Sequence, residues 1–365
     1  MTPAFSVFLE LARVIATLMV FVSHSSEYYE PFARVAPSYS FGRDGVLIFF
    51  ILSGFVISWC AREREHSFGN FVINRASRIY SVAIPGLVLG AAASLALTAS
   101  QGSPPEYQFN APWLYLPIYL SFTGSFWTLS ETPPGNMPYW SLNYEVWYYL
   151  IFAAFFFVRG RLRWLAAAGL IVLVGPNLTL MLPLWAAGSV FYFNAHRISL
   201  SPRPARWLLA ASVVAYLWCK LTHLDNLADS ANDLLFHHWL GLDVTRKSFL
   251  GDYLLALFVL ASFVFARYAR LEFSDRFVRT VRELASYSFS FYLFHVPVFT
   301  AIDAAFGLHG NSSLTAYLLT VATAIAVIVL LARYTEHRKE LYRRLFTALV
   351  GRWQRVARSH RSGAE

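Results

Sequence analysis

Basic and imidazole side chains lie inside apolar stretches of this 365-residue chain, where they could bind an anion and move a proton. Arg13 and His24 are eleven residues apart in the first stretch. In an α-helix, eleven residues make three turns plus about 20°, so both side chains would face the same way, about 16 Å apart along the axis. A guanidinium binds anions, and an imidazole exchanges a proton near neutral pH. The spacing alone is equally consistent with an interfacial Arg and a helix-end His.

A second pair of basic residues stands three positions apart, at Arg75 and Arg78, and Tyr80 follows shortly after. Residues i and i+3 share one face of a helix, so two guanidinium groups here suit a bound phosphate. Their charge alone has a simpler explanation, because cytoplasmic helix ends commonly carry basic residues.

Two carboxylates also stand beside apolar stretches. Glu145 lies about one turn into a stretch rich in Tyr and Trp, and Ser141 shares its helix face. An interfacial aromatic belt explains the aromatic residues but not the carboxylate, whereas a carboxylate beside aromatic faces suits a sugar ring. Asp44 stands near the predicted level of His24, where it could orient an imidazole or cap a helix. The Ser-Gly pair at 53–54 is typical of close helix packing.

His295 lies in a stretch of aromatic and hydroxyl residues, two positions before Pro297. A lone His in a helical bundle is more often a hydrogen-bonded packing residue than a catalyst, although the following proline frees a backbone carbonyl. The sequence contains no G-x-S-x-G elbow, Walker loop, dinucleotide fingerprint or H-E-x-x-H motif. Nothing in the pattern points to a metal.

The elements that must position these groups are membrane-spanning helices. Of all residues 57% are apolar and 14% are charged, compared with about 25% charged in soluble domains. This composition excludes a disordered chain and argues against a soluble enzyme. We predict an all-α, polytopic membrane helical bundle of about ten transmembrane helices, at 6–24, 45–61, 80–99, 141–158, 163–177, 179–195, 205–221, 250–268, 285–303 and 314–334. A further apolar segment, 112–129, is broken by Pro and Gly and is predicted as a partial or re-entrant element.

The net charge of +9 follows the predicted alternation of these spans. Of the 30 Lys and Arg residues, 24 fall on the side of the N-terminus, and the longest loop on the other side, 101–138, has none. Because basic residues concentrate in cytoplasmic segments, this distribution predicts that both termini are cytoplasmic. It also removes nucleic acid as an explanation of the charge. The basic tail, 333–361, could lie on anionic lipid as an amphipathic helix.

The chain resembles the acyltransferase 3 family of integral membrane O-acyltransferases. Five motifs carry the resemblance in the expected order: Arg13-x10-His24, Phe-Phe-Ile-Leu-Ser-Gly-Phe at 49–55, Arg75-x-x-Arg78-Ile-Tyr80, Trp140-Ser-Leu-x-x-Glu145, and the Ser286–His295 stretch. Two positions depart from the family pattern. Ser81 stands where a Pro commonly follows, and Leu47 stands where an acidic residue often occurs, so Asp44 is a displaced candidate for that carboxylate.

The resemblance implies that a short acyl group, usually acetyl, is transferred from cytoplasmic acyl-CoA to a hydroxyl of a cell-surface or exported saccharide. It makes 1–335 the transmembrane acyltransferase domain and 336–365 a basic cytoplasmic tail. Acyl-CoA is expected as a co-substrate, with no permanently bound cofactor. The other expected partners are a saccharide or glycolipid acceptor and membrane lipid, and a homo-oligomer is left open. The expected location is a bacterial inner membrane.

The resulting hypothesis assigns roles to eight residues. The catalytic set is His24, Asp44, Glu145 and His295, and the donor-binding set is Arg13, Arg75, Arg78 and Tyr80. Neutral His24 would act as general base on the acceptor hydroxyl, and Glu145 or Asp44 would orient the imidazole or bind the sugar. Direct transfer is favoured because no activated Ser or Cys is evident, although an acyl-histidine intermediate stays open.

The alternative hypothesis is a transporter of a lipid-linked sugar or small solute that performs no acyl transfer. Buried charges and aromatic residues would serve such a protein as well. Its expected sign, a pair of broken helices in two similar halves, is not found in the sequence. A purely structural or sensing membrane protein does not explain four polar groups placed inside spans.

Overall fold

The computed structural model describes residues 1–34, 41–233 and 249–362. Over these residues the chain forms α-helices joined by turns and short 3-10 segments, and it contains no β-strand. The helices are α1 (Pro3–Ser25), α2 (Glu30–Ala33), α3 (Phe41–Glu63), α4 (Phe68–Gln101), α5 (Pro112–Leu120), α6 (Trp140–Phe157), α7 (Leu162–Val174), α8 (Pro176–Asn194), α9 (Pro202–Leu221), α10 (Leu224–Asp233), α11 (Phe249–Tyr268), α12 (Asp275–Ala285), α13 (Ser288–Phe306), α14 (Leu314–Tyr334) and α15 (Lys339–Ser362). The predicted all-α class is confirmed.

Seven helical segments in the described part of the chain are long and apolar enough to cross a membrane. They are α1, α3, α4, α8, α11, α13 and the segment that α14 begins, and the pair α9 and α10, bent by 68°, would add an eighth. α6 and α7 lie outside this set, because α7 is short and α6 carries Asn143, Glu145 and many Tyr and Trp residues. The protein is therefore a multi-pass membrane bundle. The count of ten spans and the cytoplasmic termini stay predictions.

The helix that carries Arg75 and Arg78 begins earlier than predicted. α4 starts at Phe68, where the Ser67 hydroxyl caps it by accepting a hydrogen bond from the backbone N–H of Asn70 at 3.3 Å. It ends at Gly102, which adopts the left-handed conformation with φ of 64°. Both arginines consequently lie two to three turns inside a 34-residue helix rather than at its entrance.

Two glycines bring α3 and α8 into backbone contact. A Cβ atom at Gly54 would lie 1.9 Å from the carbonyl oxygen of Trp185, and one at Gly188 would lie 1.9 Å from that of Ile51. No side chain fits in either space, so both positions require glycine. This confirms the close packing predicted for the Ser-Gly pair, and it places Ser53 beside the indole of Trp185.

The segment after α5 folds back into the bundle. α5 has only nine residues, and the chain then turns, with positive φ at Phe122 and Trp127. Trp147 Nε1 donates a hydrogen bond to the Phe122 carbonyl at 3.1 Å, and the Tyr80 hydroxyl of α4 donates one to the Leu120 carbonyl at 2.7 Å. The predicted partial element at 112–129 therefore packs against α4 and α6 and does not cross the bundle as a helix.

Candidate active site

One cavity lies between α1, α3, α4, α6 and α13, and we call it the arginine pocket. Its empty volume, including the open mouth, is about 640 Å³. Three of the eight predicted site residues, Arg13, Arg78 and Glu145, line this cavity. The remaining lining residues are Val46, Phe49, Phe50, Leu52, Ser53, Val56, Ile57, Ser141, Tyr149, Ser288, Phe289 and Tyr292. The structure thus brings together side chains from five helices that are distant in the sequence.

The two guanidinium groups of the pocket have no counter-ion in contact. Neither Arg13 nor Arg78 forms a side-chain hydrogen bond or ion pair with any described residue. Arg78 lies over the ring of Phe289, with its guanidinium carbon 5.9 Å from the ring centre. Two half-buried cations that face one cavity make it a place for an anion, because each keeps its hydrogen-bond donors available.

Glu145 lies in a wall of the same pocket that is rich in hydroxyl groups. Its Oε1 accepts hydrogen bonds from the Tyr149 hydroxyl, one turn along α6, and from Ser53 Oγ at 3.2 Å. Ser53 in turn accepts a hydrogen bond from Trp185 Nε1 at 3.2 Å. Neutral donors from α3 and α6 therefore hold the carboxylate in place, and Trp185 of α8 supports Ser53. The predicted shared face of Glu145 and Ser141 is confirmed, since both line the cavity.

The two predicted imidazoles meet at one point of the bundle. The ring centres of His24 and His295 are 5.0 Å apart. His295 is fully buried, and its Nδ1 donates a hydrogen bond to the Phe291 carbonyl at 2.9 Å. In the neutral ring this leaves the lone pair on Nε2, which has no hydrogen-bond partner in the described part of the chain. A free imidazole nitrogen is the group that can accept a proton.

Tyr292 connects the pocket with the imidazole pair, neither member of which lines the cavity. Its ring lines the arginine pocket, and its ring centre is 6.4 Å from that of His295. The Tyr292 hydroxyl lies 2.7 Å from Ser141 Oγ and 3.2 Å from the Pro138 carbonyl oxygen. This fixes the ring between α13 and α6.

Asp44 is not placed to orient His24. The Tyr216 hydroxyl donates to Asp44 Oδ2 at 2.6 Å, and Lys220 Nζ lies 3.3 Å from the same oxygen. Lys220 also pairs with Asp225 at 2.7 Å. A carboxylate that is only 2% exposed needs a cation or several donors, and α9 supplies both. The correction could not be made from sequence, because Asp44 and Lys220 are separated by 176 positions.

Arg75 and Tyr80 face a neighbouring cavity rather than the arginine pocket. This apolar cavity has an empty volume of about 530 Å³, and Tyr149 lines both. Arg75 is ion-paired with Glu65 at 2.5 Å, and the Tyr80 hydroxyl donates to the Leu120 carbonyl at 2.7 Å. The expectation that Arg75 and Arg78 share one phosphate face is therefore not met. The side chain of Tyr149 lies between the two cavities.

Three residues that line the arginine pocket, Ser53, Tyr149 and Tyr292, were not among the predicted site residues. Ser53 and Tyr149 bind Glu145, and Tyr149 stands at the i+4 position that a helix would bring to its carboxylate. Tyr292 stands three residues before His295, and this i, i+3 spacing makes the two side chains neighbours on one helix face. Glu336, which lies outside the cavity, had no local signal, because its contact is with Ser290, 46 positions away.

The bundle defines an integral membrane protein, and the two arginines that face its cavity indicate a functional site rather than a passive helix assembly. Residues 6–333 match the family model described as the acyltransferase domain, so the chain belongs to the acyltransferase 3 family and is a membrane acyltransferase. Comparisons with curated proteins and with solved structures gave no significant match.

Proposed function

We propose that this acyltransferase moves a short acyl group, most simply acetyl, from acyl-CoA to a hydroxyl of a cell-surface or exported saccharide. The observation that carries the proposal is the arginine pocket, in which Arg13 and Arg78 face one cavity and no described residue forms an ion pair with either. A CoA ester is an acyl donor that also carries phosphates, and phosphates are the anions that guanidinium groups bind best. The proposal locates the protein in a bacterial inner membrane, with its termini on the acyl-CoA side.

The donor would lie along α1. Its phosphates would bind Arg13 and Arg78, and its thiol arm would pass Tyr292 toward the imidazole pair. Arg13 and His24 are separated by about 16 Å along the helix axis, so an extended donor is needed to use both groups. Arg75 is a weaker candidate for the phosphates, because Glu65 already binds its guanidinium.

His24 would act as general base in a direct transfer. It would take the proton of the acceptor hydroxyl while that oxygen attacks the thioester carbonyl; the carbon–sulfur bond then breaks, and the CoA thiolate receives the proton. His295 adds a second lone pair beside His24. Attack by His24 itself is the alternative: a nitrogen–acyl bond forms as the carbon–sulfur bond breaks, and the acceptor oxygen then attacks the acyl carbon, so that the nitrogen–acyl bond breaks and the imidazole is released.

The acceptor saccharide would bind near Glu145, with the hydroxyl that reacts directed past Tyr292 toward His24. The carboxylate, the hydroxyls of Ser53 and Tyr149, and the ring of Tyr292 form a wall of acceptors, donors and aromatic faces. Such a wall suits a sugar, whose hydroxyls donate to the carboxylate and whose C–H face packs on an aromatic ring.

The test is acyl transfer by the purified protein in lipid nanodiscs, with radiolabelled acetyl-CoA and a lipid-linked or soluble saccharide. Mass spectrometry of surface glycans with and without the gene then identifies the acyl group and the acceptor through one mass difference. Transfer that survives in the His24→Ala variant would remove the role of His24. If saturating CoA does not raise the melting temperature of the protein, the proposal of acyl-CoA as donor is contradicted. That result would favour a protein that transports a solute and performs no acyl transfer.

A further inference from the structure

Glu336 joins the end of α14 to the start of α13. Its Oε2 accepts hydrogen bonds from the backbone N–H of Ser290 at 2.9 Å and from Ser290 Oγ at 2.8 Å. Ser290 lies in the first turn of α13, the helix that carries Tyr292 and His295. The carboxylate therefore holds the start of the helix that links the arginine pocket to the imidazole pair.

The same carboxylate acts electrostatically on both arginines of the pocket. Ser290, which it binds, stands between two residues that line the cavity, so the negative charge lies close enough to attract Arg13 and Arg78. It forms no ion pair with either of them, so it lowers the positive potential without covering the guanidinium groups. It is also held only by neutral donors of Ser290 among the described residues, which leaves its charge uncompensated by direct contact.

The other carboxylates near the pocket are differently placed. Glu10 is ion-paired with Arg282 at 3.4 Å on the exposed side of the bundle. Glu145 is bound by the hydroxyls of Ser53 and Tyr149 and lines the cavity itself. Glu336 does not line the cavity, and its position behind the first turn of α13 suits a fixed counter-charge rather than a group that touches substrate.

We propose that Glu336 is a positioning residue that limits the anion affinity of the arginine pocket. Two uncompensated guanidinium groups in a low-dielectric cavity would hold a phosphate-bearing product tightly, and product release sets the turnover of many enzymes. A fixed negative charge just outside the cavity weakens that hold while leaving every guanidinium donor available. The identity of the anion as acyl-CoA and CoA rests on the proposed function, whereas the counter-charge effect does not.

The variant Glu336→Gln tests the negative charge separately from the hydrogen bonds that the side chain accepts. Its amide oxygen can accept both hydrogen bonds from Ser290, so the anchor of α13 is kept while the negative charge is lost. We expect CoA to bind about fivefold more tightly or better, as for linked sites with modest coupling. The KM for acyl-CoA should fall, and kcat should fall with it because the product leaves more slowly. A purely structural role would give weaker binding or no change.

The experiment is isothermal titration of the full-length protein in nanodiscs with CoA and, separately, with inorganic pyrophosphate. The control is Glu340→Gln, which removes an equal charge from an exposed position four residues further along the chain. Tighter binding of both ligands to Glu336→Gln but not to the control supports the proposal. Equal or weaker binding to Glu336→Gln overturns it, as does equal tightening in the control.

The two proposals can fail separately. If wild type binds pyrophosphate but not CoA, and Glu336→Gln binds pyrophosphate more tightly, the counter-charge is upheld and the acyl-CoA donor is rejected. If neither ligand binds wild type or variant, both the anion pocket and the counter-charge are rejected.

Discussion

Two groups of buried charges in this bundle are handled in opposite ways. In the ion-pair cluster, which consists of Arg43, Asp44, Lys220, Asp225 and Asp252, every charge has an opposite charge within 3.5 Å. In the arginine pocket, Arg13 and Arg78 have none at that distance among the described residues. A buried charge in a membrane protein is costly unless it is paired or serves a ligand. In this bundle the paired charges join helices to one another, whereas the two arginines without an ion pair identify the candidate active site.

The ion-pair cluster connects four helices. Arg43 binds Asp252 with two hydrogen bonds, of 2.6 and 2.5 Å, which tie α3 to α11. Lys220 joins α9 to Asp44 on α3 and to Asp225 on α10. Substituting one member of the cluster would leave its partners buried without an opposite charge. The comparison therefore predicts that pocket variants lose function and cluster variants lose stability.

The largest expected effect is at the imidazole pair beside the pocket. His24→Ala should lower acyl transfer by about 10²–10⁴-fold, the usual contribution of a general base. The melting temperature should change little, because the His24 side chain is only half buried and forms no hydrogen bond with any described residue. The measurement is transfer of labelled acetyl from acetyl-CoA, with His66→Ala, an exposed histidine, as the control. Equal rates in both variants would contradict the assignment.

The second effect tests the other side of the comparison. Lys220→Met should lower the free energy of unfolding by about 3–5 kcal/mol, because Asp44 and Asp225 would both lose their buried cation. The folded fraction should keep its affinity for CoA. Thermal and chemical unfolding in detergent measure the change, against Lys339→Met at an exposed position. If the Lys220→Met protein is stable but no longer binds CoA, the ion-pair cluster belongs to the CoA-binding site, and the contrast between structural and functional charges is wrong.

The third effect separates two arginines of one helix. Arg78→Ala should weaken CoA binding by about 10- to 100-fold, since charge-assisted hydrogen bonds to the ligand are lost. Arg75→Ala should weaken it less, because Glu65 already occupies that guanidinium. Titration with CoA measures both, with the exposed Arg203→Ala as the control. A larger loss in Arg75→Ala would move the phosphate site to the apolar cavity.

The smallest effect concerns the scaffold between the two regions. Gly54→Ala should destabilise the protein by about 1–3 kcal/mol, because its methyl group would collide with the Trp185 carbonyl of α8. Gly169→Ala is the matched helical control, since its added Cβ meets no atom within 4 Å. Activity per folded molecule should also fall in Gly54→Ala, as Ser53 moves away from Glu145. Equal melting temperatures for the two variants would contradict the close α3–α8 contact.

Much of the fold could be predicted because it depends on local patterns. Apolar length located a helix at all ten predicted spans, and helical spacing correctly grouped Ser141 with Glu145. Helical spacing failed for Arg75 and Arg78, which are i and i+3 neighbours but face different cavities. The difference arises because Glu65 draws one guanidinium aside, and an ion pair of that kind depends on how α3 ends.

The sequence by itself determined the all-α membrane class, the family resemblance, and the polar groups that need an explanation inside spans. The tertiary structure decided which of those groups are satisfied. Asp44 and Arg75 have oppositely charged partners, whereas Arg13 and Arg78 have none among the residues that the structure describes. The reason is physical: hydropathy and helix periodicity are properties of neighbouring residues, but the partner of a buried charge is set by which helices pack together. The spacing of residues along the sequence does not show which helices will pack together.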